Sequence, residues 1–172
     1  MRTLDFVLHR LYHDRYFPLD LSYFREAITQ YAKVDARGKV VVDVGADYGC
    51  TPIVWVAGGA LKVIAYEADR ARRERMRRLL GSEPWLEING SWDGETPEGD
   101  VIKIDCDGCL GEKKVTAESL LKHYSQVLLV HHEYDPTYQG STTHQREVWI
   151  EYKSRKGFSS SSFTPEVGGV FQ

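Results

Sequence analysis

Acidic side chains follow several short apolar runs in this chain. Asp43 follows Val40-Val41-Val42, Glu67 follows Val63-Ile64-Ala65-Tyr66, and Asp105 follows Val101-Ile102-Lys103-Ile104. Asp93 comes shortly after Leu86-Glu87-Ile88-Asn89, and His131-His132-Glu133 closes the run that begins at Gln126. Carboxylates at strand ends accept hydrogen bonds from hydroxyl and ammonium groups and repel phosphates. Between the first two acids lies Gly45-Ala46-Asp47-Tyr48-Gly49, whose glycines are four apart. That spacing departs from the G-x-G-x-x-G cradle that holds a pyrophosphate. Glycine lacks a Cβ, so the turn is expected to let a ligand lie against the backbone.

Glu67 stands 24 positions after Asp43. A carboxylate there can accept two bonds from a ribose diol, each worth about 1.5–3 kcal/mol. A glycine turn, no phosphate cradle and a ribose-gripping acid fit S-adenosylmethionine better than NAD. The former carries a ribose and an amino-acid tail but no phosphate.

These residues need elements to position them. The runs 39–44, 62–67, 86–89, 101–105 and 126–131 read as strands, most without polar alternation, as in a parallel sheet buried on both faces. Helices are expected over 19–32, from Thr51-Pro52 to Ala57, from Asp69 to Leu80, over 116–124 and over 143–156, with hydroxyl, proline and glycine signals at several ends. Strands alternating with helices make βαβ units and a parallel sheet. Ligands bind such a sheet at the carboxyl ends of its strands. The tail from Phe158 to Gln172 is expected to form an antiparallel hairpin on the sheet edge.

The composition agrees with a globular protein. The chain has 172 residues, 42% of them hydrophobic and 27% charged, with a net charge of −3. These values exclude a disordered, collagenous or wholly basic chain. No run reaches the roughly 18–20 apolar residues of a membrane span, and the first ten residues have no signal-peptide pattern. Three cysteines make an odd and low number for a disulfide scaffold, so a cytoplasmic location is expected.

At this point a resemblance emerges. Val41-Val42-Asp43-Val44-Gly45-Ala46-Asp47-Tyr48-Gly49 resembles motif I of class I S-adenosylmethionine-dependent methyltransferases, and Ile64-Ala65-Tyr66-Glu67-Ala68-Asp69 resembles their motif II. Ile102-Lys103-Ile104-Asp105-Cys106-Asp107-Gly108 is similar to the K-I-D-x-E-G segment of the FkbM family, many of which are O-methyltransferases. The resemblance implies a three-layer, Rossmann-like α/β domain over 1–172. Its cofactor-binding core would span 39–133, with a helical extension over 1–35 and a mostly parallel seven-stranded sheet ending in an antiparallel edge hairpin. Gly45, Ala46, Tyr48 and Gly49 would line the methionine part, and Asp43 would bond its amino group directly or through water. Glu67 and Ala68 would lie at the ribose, Trp92 and Asp93 near the adenine, and Asp105 at the sulfonium and the acceptor. Aspartate at 107 replaces the family's glutamate, and Leu110 stands where another acid is usual.

Asp105, Asp107, His131 and Glu133 are the candidates to orient the acceptor or take its proton. Alternation sends His131 and His132 to opposite faces, so one histidine, or His131 with Glu133, points at the site. A structural histidine is the competing reading. Cys106 and Cys109 read as soft side chains packed beside the site. A redox pair, or half a zinc site completed by His131 and His132, are the alternatives. Six arginines lie within Arg70–Arg78. They read as a solvated helix face, with an RNA-binding patch as the alternative to a small-molecule acceptor as partner.

Overall fold

A computed structural model of the chain describes residues 27, 28, 31, 34–106, 109–134, 145–154 and 157–163. Strand β1 (Val40–Val44) is followed by helix α1 (Cys50–Ala57), β2 (Lys62–Tyr66), α2 (Arg70–Leu80) and β3 (Leu86–Asn89). Then come β4 (Val101–Ile104), the short helices α3 (Cys109–Lys113) and α4 (Ala117–Leu120), and strands β5 (Gln126–Tyr134), β6 (Gln145–Ser154) and β7 (Gly157–Phe163). The seven strands form one sheet in the order β3-β2-β1-β4-β5-β6-β7. β1 to β5 pair in parallel, and β6 pairs antiparallel with both β5 and β7. β6 therefore runs against the other six strands. This is a Rossmann-like α/β sandwich with an antiparallel edge hairpin. The chain winds one way from β1 and the other way from β4, so the switch point lies between those two strands.

Alternation along β1 divides the core. Val41 packs with Ile53, Trp55, Met76 and Leu80 on the α1 and α2 face. Val42 and Val44 pack with Ile102, Ile104, Leu120 and Tyr124 on the α3 and α4 face. Helix α2 starts where its cap predicts: the Asp69 side chain accepts from the Arg72 N–H at 2.9 Å. A capping box opens α4, in which the Thr116 and Ser119 side chains each accept from the other's backbone N–H at 3.2 Å. Thr116→Ala is expected to cost about 1 kcal/mol in urea unfolding. An unchanged midpoint would show that the box carries no load.

The structure corrects four expectations. α1 has Gly49 as its N-cap with no side-chain cap; the Thr51 hydroxyl turns inward instead. Of the helix expected over 143–156, the described residues 145–154 form β6 instead, because the free edge of β5 offers a nine-residue ladder that outweighs helical spacing. The hairpin accordingly consists of β6 and β7 and begins well before Phe158, with Gly157 opening β7 rather than closing a helix. The helix expected over 116–124 is only α4, and α3 precedes it. Ala27, Ile28 and Tyr31, the described residues of the helix expected over 19–32, are helical.

Candidate functional site

The site is built on the seam between β1 and β4. Asp43 and Lys103 are register partners across it, and both side chains point to the α1 face. Asp43 and Lys103 are fully buried. The Lys103 Nζ lies 3.0 Å from Asp43 Oδ1 and 3.7 Å from Asp105 Oδ2, and it donates to the Gly45 carbonyl at 2.7 Å. Asp43 Oδ2 accepts from the Thr51 hydroxyl at 2.5 Å and from the Trp55 indole N–H at 3.0 Å. Burial alone would lower the Lys103 pKa. The Asp43 and Asp105 carboxylates outweigh it, and the net direction is upward. A direct bond from Asp43 to a ligand is thus excluded: the carboxylate is sealed and serves as the counter-charge of Lys103.

Asp105, one residue beyond β4, is the carboxylate of this group that reaches solvent, with its side chain 25% exposed. The Tyr31 hydroxyl donates to its Oδ2 at 3.2 Å. Tyr31 in turn stacks on Trp55 with ring centroids 4.9 Å apart, and the Lys103 Nζ lies 5.7 Å from its ring centre. A residue from the segment before the sheet thereby holds the acid at its carboxyl edge.

The glycine turn is tighter than expected. Gly45 has φ +78°, and a Cβ on it would sit 1.7 Å from the Asp105 carbonyl oxygen. Both Gly45 and Ala46 donate their N–H to the Tyr66 carbonyl, at 2.9 and 3.0 Å. A Cβ on Gly49 would meet Leu80 Cδ1 at 2.8 Å. The absent Cβ atoms make room for protein, β4 and α2, and not for a ligand lying against the backbone. Ala46 is fully buried.

Glu67 ends β2 with 7% of its surface exposed. Its two oxygens accept from the backbone N–H groups of Asp47 and Asp69, each at 2.8 Å. An ionised carboxylate has about four acceptor positions, so each oxygen keeps one. Burial raises its pKa, against the pull of those two backbone bonds. Ala68 is exposed, and its carbonyl accepts from Arg73 Nη1 at 3.0 Å. Arg72 Nη1 pairs with Asp47 at 2.9 Å, and the Arg72 and Arg75 guanidinium carbons lie 5.6 and 5.2 Å from the Tyr48 ring centre.

The remaining candidates scatter. Trp92, expected near the adenine, is buried in the α3 and α4 core with its indole N–H donated to the Glu95 carbonyl at 2.7 Å. Asp93 accepts from the Glu95 N–H at 2.9 Å and closes a turn. His131 faces β6, with Nε2 3.4 Å from Glu151 Oε2. Asp107 and the side chains of His132 and Glu133 lie outside the described residues. Cys106 and Cys109 form a disulfide, in place of two separate packed thiols. Burial pushes the Cys50 thiol up to about 12. Among the described residues, no three His, Cys, Asp or Glu side chains converge as metal ligands, and no helix is long and apolar enough to cross a membrane.

Sequence reading missed Lys103, Tyr31, Thr51 and Trp55. Lys103 left a signal: an aspartate and a lysine, each inside an apolar strand, must neutralise one another when buried.

No protein-family model matches the chain. Uncharacterized protein 65 of Sulfolobus islandicus filamentous virus (isolate Iceland/Hveragerdi) is 33% identical over 110 residues, spanning 62% of this chain and 68% of that protein. The chain belongs to the protein 65 family. This protein 65 homologue is also similar to uncharacterized protein 158B of Sulfolobus islandicus rod-shaped virus 1, at 26% identity over 125 residues, covering 70% of this chain and 78% of that one. Among solved structures, Haemonchus contortus phosphoethanolamine N-methyltransferase 1, in complex with phosphoethanolamine and S-adenosylhomocysteine, superposes with a TM-score of 0.56 at 14% identity, over 74% of this chain and 32% of that one. Thermoplasma acidophilum 1320 superposes with a TM-score of 0.53 at 13% identity, over 91% of this chain and all of that one. The chain shares a Rossmann-like α/β fold with these neighbours.

Proposed function

We propose that this protein is an S-adenosylmethionine-dependent methyltransferase of FkbM-like type acting on an oxygen or nitrogen acceptor, with a small molecule as the first candidate. The observation that carries the reading is Glu67. It is a buried carboxylate at the end of β2, fixed by two backbone N–H groups, with an acceptor position left on each oxygen. That pair of open acceptor positions fits the two hydroxyl donors of a ribose diol. The cofactor, when bound, supplies an electrophilic methyl group on a sulfonium.

This chain's residues then have separable tasks. Glu67 holds the ribose. Asp105 presents negative charge at the end of β4, two strands from β2, and is aimed by Tyr31 and Lys103. Asp43 balances Lys103 from below and acts through it. Most of the acceleration in such a transfer comes from alignment of nucleophile and methyl carbon. Asp105 also stands as the group to orient the acceptor or take its proton, with Asp107 and Glu133 as further candidates, whereas His131 is turned toward Glu151.

Glu67→Ala removes two charge-assisted bonds. The expected result is at least a hundredfold loss of S-adenosylhomocysteine affinity by calorimetry, with the fold retained by circular dichroism. Unchanged affinity would end the ribose assignment. Affinity for the ligand is also expected to weaken on acidification at a pH above the ordinary glutamate value, because protonation of Glu67 removes an acceptor and burial raises its pKa.

A second reading is cofactor binding without transfer. It rests on Leu110, which stands where the analogous family carries an acid and packs here against the α3 and α4 core. Tight ligand binding with no methyl transfer to any acceptor in a broad panel would favour it.

A further inference from the structure

We propose that the outer face of α2, with Tyr48 beside it, binds the phosphodiester backbone of a nucleic acid. Six arginines and one glutamate give residues 70–78 a charge of +5, although the whole chain carries −3. The rest of the chain is therefore at −8. Positive charge is gathered on one element of an otherwise acidic molecule, the distribution of a local polyanion site. Met76 and Leu80 face the core and are buried, so the arginines occupy the remaining circumference. Arg70, Arg72, Arg77 and Arg78 are exposed.

Residue type narrows the partner. Every basic side chain on α2 is arginine, whose planar fork grips a phosphate through two parallel bonds, and none is lysine. Arg73 and Arg77, and likewise Arg75 and Arg78, are like charges at spacings that bring side chains together on a helix. An anionic partner relieves that repulsion. The Arg72 and Arg75 guanidinium groups flank the Tyr48 ring at 5.6 and 5.2 Å. A basic track beside an aromatic ring is the combination that binds single strands, by phosphate contact and base stacking. The stacking ring favours a nucleic acid over an acidic protein surface. Because Tyr48 belongs to the glycine turn, the track begins at the rim of the candidate site. The inference concerns binding and stands whether or not the protein transfers a methyl group.

The test is fluorescence anisotropy of the full chain with a short single-stranded RNA and a DNA of the same sequence. Affinity for at least one strand is expected to fall steeply between 50 and 200 mM salt. The double variant Arg77→Gln/Arg78→Gln is expected to bind about tenfold more weakly and to flatten the log–log salt slope by about 1.4, two contacts' worth. Arg70→Gln gives an independent, smaller loss, and circular dichroism verifies that each variant is folded. Arg77→Gln/Arg78→Gln should keep its affinity for S-adenosylhomocysteine, so the two readings fail separately. Preference for RNA or for DNA identifies the source of the phosphodiester. No binding to either strand at 50 mM salt, a slope unmoved by the double variant, or equal competition by polyglutamate would overturn the proposal.

Discussion

Lys103→Met is expected to remove about 3–5 kcal/mol of stability, since it leaves the Asp43 carboxylate buried without its counter-charge. Domains of this kind are held by about 5–15 kcal/mol in all, so one side chain would account for a large share. Lys103 and Asp43 have no exposed surface, so water cannot take over as partner. The double variant Asp43→Asn/Lys103→Met should recover most of the loss. It removes both charges, and the asparagine oxygen still accepts from Thr51 and Trp55. Urea unfolding of the two variants checks this. A single variant within 1 kcal/mol of the native protein would mean that Asp43 and Lys103 do not depend on each other. The pair also sets an alkaline limit. The Asp43 and Asp105 carboxylates hold the folded Lys103 pKa above the ordinary lysine value despite burial, so its contribution is complete below the unfolded pKa. It is lost as pH rises through the folded value. A profile of stability against pH should show a fall in that range, and Lys103→Met should lack it.

Gly45→Ala is expected to be worse than an ordinary loop substitution, at about 4 kcal/mol or more. The new Cβ would lie 1.7 Å from the Asp105 carbonyl oxygen. Backbone cannot swing aside as a side chain can, so β1 and β4 would have to separate at the site itself. Gly38→Ala is the control. It shares a positive φ, +70°, but has nothing within 4 Å of the added atom. It should cost only the strain of the left-handed region, about 1–2 kcal/mol. In thermal melts the control should fall by about 2–8 °C, while Gly45→Ala should fall further or fail to fold. Equal shifts would show that the close approach to Asp105 is not what selects glycine.

Much of this architecture could be read before any coordinates, and the failures have physical causes. β1, β2 and β4 announced themselves because strands covered on both faces admit no polar alternation. The start of α2 followed from Asp69. The position of Glu67 at the edge of β2 followed from the end of its apolar run. Residues 145–154 misled because their apolar positions also suit a helix, and nothing local says that β5 has an unpaired edge. Tyr31 could not be read at all: its bond to Asp105 joins residues 74 apart. The glycine turn was found but explained wrongly. Its space is filled by Asp105, Leu80 and Met76, a fact that only packing reveals.

The β1–β4 seam has a kinetic consequence. Its register joins Val41 to Val101, with two other strands and two helices between them, whereas β6 and β7 meet across two intervening residues. Closing the long loop is the slow entropic step, and the edge hairpin can form on the microsecond scale. The Asp43–Lys103 ion pair lies on that seam and forms as the slow step is crossed. Its removal should therefore slow refolding as well as accelerate unfolding, so the buried pair acts on both the formation and the lifetime of the folded molecule.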